Sequence, residues 1–309
     1  MHPEVIFEHP ETIFLHPEVI LEHLETIFQH PQNNFKKLQT IFYRHKKHFP
    51  KFELSTINYQ LSTINNQLST INYQLSTINM NIILASTSTL FGGQYLEYLK
   101  PELINLFEGI TEIIFIPFAR PGGISHDDYT QKAKDFFSTI NINVKGLHEF
   151  EDKIEAVNSA QGFFTGGGNT FLLVKILHEL GLMSVLKQNI ESEKPYLGCS
   201  AGSNIGGVNM KTTNDMPIVY PSSFDCMGLV PFNINPHYLD PNPEIKHNGE
   251  TRETRIKEFL TQNDIKVVGL REGNWIRRLG NRVTTEGTEL TRIFEKGKEP
   301  YEVDPGFEL

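Results

Sequence analysis

The pattern of hydrophobic and polar positions changes character at Met80. Beyond it, short apolar runs alternate with stretches of helical spacing. Asn81-Ile82-Ile83-Leu84-Ala85 reads as a buried strand, followed by a predicted helix over 95–107. A second strand lies within 110–118, around Ile113-Ile114-Phe115-Ile116. The run Ser125-His126-Asp127-Asp128 is a cap signature ahead of a helix over 129–140. A third strand is predicted over 142–150, a short helix over 152–160 and a fourth strand over 160–165. Helices over 170–182 and 184–193 then lead into a fifth strand at 194–197. The small residues of 201–208 suit a helix packed closely on a sheet. Later come a short strand from Asn233 ending at His237, a helix over 251–260 and a buried strand over 265–270. The remainder alternates like antiparallel hairpins, with Gly280-Asn281 as a turn and a last meander over 293–303. Strands and helices in alternation, joined by right-handed crossovers, give an α/β fold with a mainly parallel sheet flanked by helices. The ligand site of such a sheet lies beyond the carboxyl ends of its strands.

Before Met80 the chain is a different material. Residues 1–79 contain no Gly, Ala, Asp or Cys, and all 23 glycines of the chain lie after Met80. His2, His9, His16, His23 and His30 recur every seven residues. A second seven-residue repeat follows, with Leu54, Leu61, Leu68 and Leu75 alternating with Ile57, Ile64, Ile71 and Ile78. The Leu/Ile spacing fits the a and d positions of a coiled coil, but the other positions are Ser, Thr, Asn, Gln and Tyr with no pairing charges. Pro3, Pro10, Pro17 and Pro31 exclude a continuous helix through the first repeat. They also speak against a metal site built from its histidines. The expected organisation is therefore a low-complexity heptad-repeat extension over 1–79, disordered or at most loosely helical and not native, with Met80 the expected initiator, and an α/β domain over 80–309.

The chemistry gathers at Gly198-Cys199-Ser200-Ala201-Gly202, a G-x-S-x-G sequence between a strand and a helix. A nucleophile on so sharp a turn needs flanking residues without Cβ atoms, and the turn aims the next backbone N–H, that of Ala201, above the serine. The same five residues could be a plain Gly-rich turn. Cys199 is the rival nucleophile, but it is off-centre in the motif. A serine needs a base, and His237 alone among the histidines beyond Met80 ends a strand after the elbow. For the acid that orients it, Glu272 ends the next strand, while Asp225 and Asp240 lie in irregular loops; the bland reading of Glu272 is a surface carboxylate paired with Arg271. Gly166-Gly167-Gly168 ends a strand as well. It could cradle a phosphate, but no Lys-Ser/Thr follows and Rossmann spacing is absent, so Gly168 is better placed as a second oxyanion donor. Ser, His, Glu is not the chain order of α/β-hydrolases.

Charge and cysteine content narrow the classes. A formal charge of −9 argues against a nucleic-acid surface. Two cysteines form neither a disulfide framework nor a metal-ligand set, which fits a reducing cytoplasm. No apolar run is long enough to span a bilayer and no signal peptide is evident, so the expectation is a cytoplasmic protein. Neither metal nor cofactor is expected, and the chain should be a monomer or small homo-oligomer.

Five motifs stand in one order: Gly166-Gly167-Gly168-Asn169-Thr170-Phe171, Gly198-Cys199-Ser200-Ala201-Gly202, Thr213-Asn214-Asp215-Met216-Pro217, Asn235-Pro236-His237 and Glu272-Gly273-Asn274-Trp275. From Met80 onward the chain resembles the peptidase E family of aspartyl dipeptidases, serine peptidases that also include cyanophycinase. The resemblance implies an α/β serine peptidase domain over 80–309 with a flavodoxin-like or class I glutamine amidotransferase-like fold and a Ser200–His237–Glu272 triad, with oxyanion donors at Gly168 and Ala201. It also implies small dipeptide substrates with N-terminal aspartate, and Arg252 is the matching cation. Asn214 and Asp215 are further candidate substrate-binding residues, Asp215 for the α-amino group. Lys211, Arg255 and Arg271 are alternative cations. The competing expectations are a cyanophycinase-like peptidase and an amidotransferase-like member using Cys199.

Overall fold

The computed structural model describes Ser62, residues 80–241 and residues 249–309. The expectations for the extension over 1–79 lie outside the described residues, as does His247. From Met80 onward the strands are β1 (Asn81–Ala85), β2 (Glu112–Ile116), β3 (Asn143–Gly146), β4 (Phe163–Thr165), β5 (Tyr196–Cys199) and β6 (Asn233–Pro236). They are followed by β7 (Val267–Leu270), β8 (Trp275–Leu279), β9 (Arg282–Glu286), β10 (Thr291–Phe294) and β11 (Tyr301–Val303). One seven-stranded sheet has the order β3-β2-β4-β5-β1-β8-β9. Its first five strands are parallel, and β8 and β9 extend it in antiparallel sense. The mainly parallel α/β architecture expected from the sequence is the one observed.

The central strands β1, β2, β4 and β5 are covered on both faces, which is why they are nearly continuously apolar, whereas the edge strand β3 alternates exposed and buried residues. Ile82 and Leu84 of β1 enter one core together with Phe163 and Tyr196. Ile83 and Ala85 enter the opposite core with Phe164, Leu197 and Cys199. Helices form where caps and spacing permit. Ser125 accepts from the Asp128 N–H to start His126–Ser138, and Asn169 from the Leu172 N–H to start Thr170–Glu179. Gly181, at φ 66°, separates Thr170–Glu179 from Leu182–Glu191. The hairpin at Gly280-Asn281 is a two-residue turn between the paired residues Leu279 and Arg282, as its sequence predicts.

Three elements differ from expectation. The helix over 95–107 divides into a tight turn, Glu97–Leu99, and a helix, Lys100–Leu106, in which Pro101 occupies the first turn. The strand over 142–150 stops at Gly146 and continues as a tight turn over Leu147–Glu149. The helix after the elbow is a single turn, Ala201–Asn204. The chain then folds back through Gly206 and Gly207, and the Val208 N–H reaches the Phe232 carbonyl at 3.3 Å.

The other sheet was not legible in the sequence. Four strands in the order β11-β10-β7-β6 form a layer of their own, with β6 and β7 parallel and β10 antiparallel to its neighbours. The helix Arg252–Gln262 packs there through Ile256 and Leu260 against Tyr238, Val267 and Phe294. The two sheets meet at the carboxyl end of β1, where the Ser86 hydroxyl donates to the carbonyl of Leu270, the last residue of β7, at 2.8 Å. Among the described residues no helix is long and apolar enough to cross a membrane.

Candidate active site

Ser200 stands between β5 and the one-turn helix with φ 54° and ψ −109°, a conformation that L-residues rarely adopt. The surroundings enforce it. A Cβ on Gly198 would stand 2.4 Å from the Gly202 carbonyl oxygen, and one on Gly202 would stand 2.2 Å from that of Thr165. Both flanking positions of the elbow therefore admit only glycine. The Ser200 N–H donates to the Ala85 carbonyl at 3.1 Å, anchoring Ser200 to the end of β1.

His237 follows β6 directly, and its φ of 53° swings the ring out of the strand line. Its Nδ1 lies 2.7 Å from Glu272 Oε1, and its Nε2 lies 2.9 Å from Ser200 Oγ. A carboxylate only accepts, so Nδ1–H donates to Glu272 and Nε2 is left to accept from the Ser200 hydroxyl. Glu272 lies in the turn after β7, closed by an Asn274 N–H to Arg271 carbonyl bond of 3.1 Å. The structure thus brings Ser200, His237 and Glu272 into one continuous hydrogen-bonded chain across 72 positions of sequence, from the carboxyl ends of strands in two different sheets.

The glycine loop after β4 runs beside the serine. A Cβ on Gly167 would lie 3.0 Å from Ser200 Cβ and 3.5 Å from its Oγ. At Gly168, φ is 148° and a Cβ would meet the Ala119 carbonyl oxygen at 2.2 Å, so only glycine fits there. Asn169 fixes the end of this loop, donating its N–H to Ala119 at 2.7 Å. Cys199 has no part in this arrangement. The period of two along β5 sends its side chain into the core opposite the site, fully buried, and burial pushes the thiol pKa far up. Cys199→Ala is expected to leave turnover unchanged, which steady-state rates of the variant would check; a loss beyond tenfold would revive Cys199 as the nucleophile.

Residues 82–285 match the sequence profile of peptidase family S51. The chain belongs to this family. It is 42% identical over 230 residues to a peptidase E of Streptomyces coelicolor, covering 74% of this chain and 93% of that protein. It is 40% identical over 218 residues to a probable alpha-aspartyl dipeptidase of Drosophila melanogaster, covering 70% and 90%. Two solved structures share the fold. A putative peptidase E from Listeria monocytogenes has a TM-score of 0.51 at 23% identity, covering 68% of this chain and 98% of that one. A peptidase from an acI-B1 Actinobacterium has a TM-score of 0.57 at 18% identity, covering 75% and 96%.

Around the triad of this S51 chain the candidate cations differ in their commitments. Arg271 is held by Asp240 at 2.8 Å and by Glu302 at 2.9 Å, and it also donates to the Leu290 carbonyl. Arg255 faces Glu250 at 3.6 Å, and Lys211 is exposed. Arg252, the first residue of its helix, keeps Nη1 buried with no hydrogen-bond partner among the described residues. Burial lowers its pKa, and the charge of Glu272 opposes that shift. The Tyr238 hydroxyl, next to His237 in sequence, is likewise buried and unpartnered, and burial raises its pKa to about 12. Asp215 Oδ2 accepts from the Thr170 N–H at 2.7 Å, the Thr170 hydroxyl at 2.6 Å and the Thr213 hydroxyl at 3.0 Å. Asn214 commits both ends of its amide to the strand before His237. It donates to the Pro236 carbonyl at 2.8 Å and accepts from Asn235 at 2.9 Å, so its place is that of a brace behind His237.

The sequence reading missed the ionic scaffold behind Arg252. Glu302 of β11 also binds Arg292 at 3.0 Å, and Arg292 binds Glu253 at 2.9 Å, next to Arg252. Nothing in the spacing of these residues announces the network, because its five members, Asp240, Arg271, Glu302, Arg292 and Glu253, come from five separate segments. Hydrogen bonds from Arg271 hold the Asp240 and Glu302 carboxyls below their ordinary range. A depressed folded-state pKa gives stability that is complete above the unfolded value and lost as pH falls through the folded one. The melting temperature is therefore expected to drop on acidification below about pH 4, the unfolded carboxylate range. Arg271→Met should lower the neutral melting temperature and flatten that acid drop. Parallel melting-versus-pH curves for parent and variant would exclude the network as the cause.

Proposed function

We propose that this S51 peptidase is a serine dipeptidase that cleaves dipeptides after an N-terminal aspartate. The observation that carries the reading is the unbroken Ser200–His237–Glu272 hydrogen-bond chain on a strained elbow. His237 Nε2 takes the Ser200 proton as Oγ attacks the scissile carbonyl carbon. Glu272 holds the ring by Nδ1 and stabilises the imidazolium that forms. The carbonyl oxygen, now an oxyanion, is received by the backbone N–H groups of Gly168 and Ala201. His237 then gives its proton to the leaving amine as the C–N bond breaks. Water, deprotonated by the same histidine, hydrolyses the acyl ester and restores Ser200.

An aspartyl substrate brings a carboxylate to a site that already contains Glu272, on a chain of formal charge −9. A fixed cation must receive it. Arg252 is the choice because its Nη1 is buried and unpartnered while Arg271 and Arg255 have acidic partners. Its planar fork can hold a carboxylate through two hydrogen bonds. For the α-amino group we assign Asp215, whose Oδ1 takes no part in the three bonds made by Oδ2. The test is hydrolysis of a dipeptide panel together with fluorophosphonate labelling. Asp-Leu should be cleaved, Asn-Leu and Lys-Leu spared, and the label mapped to Ser200. Labelling elsewhere, or equal cleavage of all three dipeptides, would overturn the reading.

A further inference from the structure

We infer that Ser86 is a positioning residue for the catalytic relay: its buried hydroxyl fixes the backbone from which His237 and Glu272 are presented to Ser200. The inference rests on the dipeptidase reading of the site. Ser86 is the first residue after β1 and is fully buried. Its Oγ accepts from the His237 N–H at 2.8 Å and donates to the Leu270 carbonyl at 2.8 Å. One hydroxyl therefore bridges the ends of β6 and β7 from a strand of the other sheet.

A bridge matters at this point because the regular β6–β7 register ends there and resumes only with the Tyr238 N–H, which donates to the Leu270 carbonyl at 3.1 Å and passes over His237. Pro236 pairs with Leu270 but carries no N–H, and the next residue, His237, leaves the strand at φ 53°. A left-handed histidine is an expensive conformation, held only where its surroundings over-determine it. The Ser86 oxygen satisfies the backbone N–H of His237 itself, between the bonds that hold its neighbours, Asn214 to the Pro236 carbonyl and the Tyr238 N–H to Leu270. Its proton goes to Leu270, two residues before Glu272. The main chain completes the arrangement, with the Ser86 N–H on the Asn274 carbonyl beyond Glu272 and the Ala85 carbonyl on the Ser200 N–H. The joint of β1 thus touches the backbone around each of the three relay residues, and the Ser86 hydroxyl is the part of it that a side-chain substitution can remove.

Such a residue should act on the chemical step and not on substrate binding. Displacing a reacting group by about 1 Å can cost about 100-fold in rate. Ser86→Ala is expected to lower kcat on Asp-Leu by about 10- to 100-fold with KM little changed, and to slow fluorophosphonate labelling of Ser200 by a similar factor. Ser86→Thr, which keeps the hydroxyl, should recover most of the loss. Thr285→Val serves as the control, since Thr285 is also fully buried and its hydroxyl donates to a backbone carbonyl, that of Asp304 at 3.0 Å, away from the relay. It should lower the melting temperature while leaving kcat unchanged. If Ser200→Ala is inactive but Ser86→Ala keeps parental kcat and labelling rate, the positioning role is wrong and the dipeptidase reading stands. A kcat loss in Thr285→Val equal to that in Ser86→Ala would also overturn the role, by reducing it to general destabilisation. If Ser200→Ala itself keeps parental activity, the underlying reading fails and the inference falls with it.

Discussion

Ser200→Ala is expected to abolish dipeptide hydrolysis and leave the chain folded. Losing the nucleophile of a triad costs about 10⁴- to 10⁶-fold in kcat, because the base and its carboxylate then have nothing to activate. The fold should survive, since the elbow is held by backbone groups. The Ser200 N–H binds Ala85, and the Ser200 carbonyl receives the N–H groups of Ser203 and Asn204 at 2.9 and 3.0 Å. Alanine, like serine, carries a Cβ, so the steric strain at φ 54° is little changed. His237→Ala should cost nearly as much, and the double variant hardly more, because triad members act as a unit. Glu272→Gln should lose less, since an amide oxygen can still accept from Nδ1–H. Initial rates on Asp-Leu, with circular dichroism as the folding check, decide the matter. A Ser200→Ala chain that is folded and fully active would falsify the assignment.

Arg252→Met should separate substrate choice from chemistry. Leaving a buried carboxylate without its cation typically costs about 2–4 kcal/mol, roughly 30- to 900-fold in kcat/KM for Asp-Leu. Reaction of Ser200 with a small uncharged acylating agent should be almost unaffected, because that reagent presents no carboxylate. The free protein supplies an independent readout. Among the described residues Arg252 Nη1 is buried without a hydrogen-bond partner, a state that costs stability, so the methionine variant should melt no lower than the parent. A variant that melts lower and loses activity equally on charged and uncharged reagents would mark Arg252 as structural. One that still cleaves Asp-Leu at the parental rate and ignores Asn-Leu would place the cation elsewhere.

What the sequence disclosed and what it withheld divide by the range of the interactions. The elbow glycines, the Asn169 cap and the Gly280-Asn281 hairpin are local, and each could be read from a few neighbouring residues. Continuous apolar strands gave away a sheet covered on both faces. The four-stranded sheet was hidden because a buried strand such as Val267–Leu270 looks the same in either layer. Pro101 in the first turn of Lys100–Leu106, and the early reversal at Gly206-Gly207, shortened helices whose apolar spacing alone ran further. Ser86 stayed silent because its partners lie 151 and 184 residues away. Asn214 sits within a motif, yet only its two hydrogen bonds reveal that it faces the strand.

The backbone strain at the relay has a consequence for how this enzyme can evolve. Ser200 and His237 both occupy left-handed backbone at φ 54° and 53°, where glycine would sit without penalty. Conformations of this kind cost about 1–3 kcal/mol each, more than the roughly 0.5–1 kcal/mol that glycine loses to extra freedom in the unfolded chain. Selection acting on robustness alone would therefore favour losing the nucleophile and the base, at the two positions where the chain can least spare them. A lineage released from the need to cleave peptides should drift toward glycine there and become sturdier as it does so. Retention of serine and histidine at these sites is then a record of continuous use.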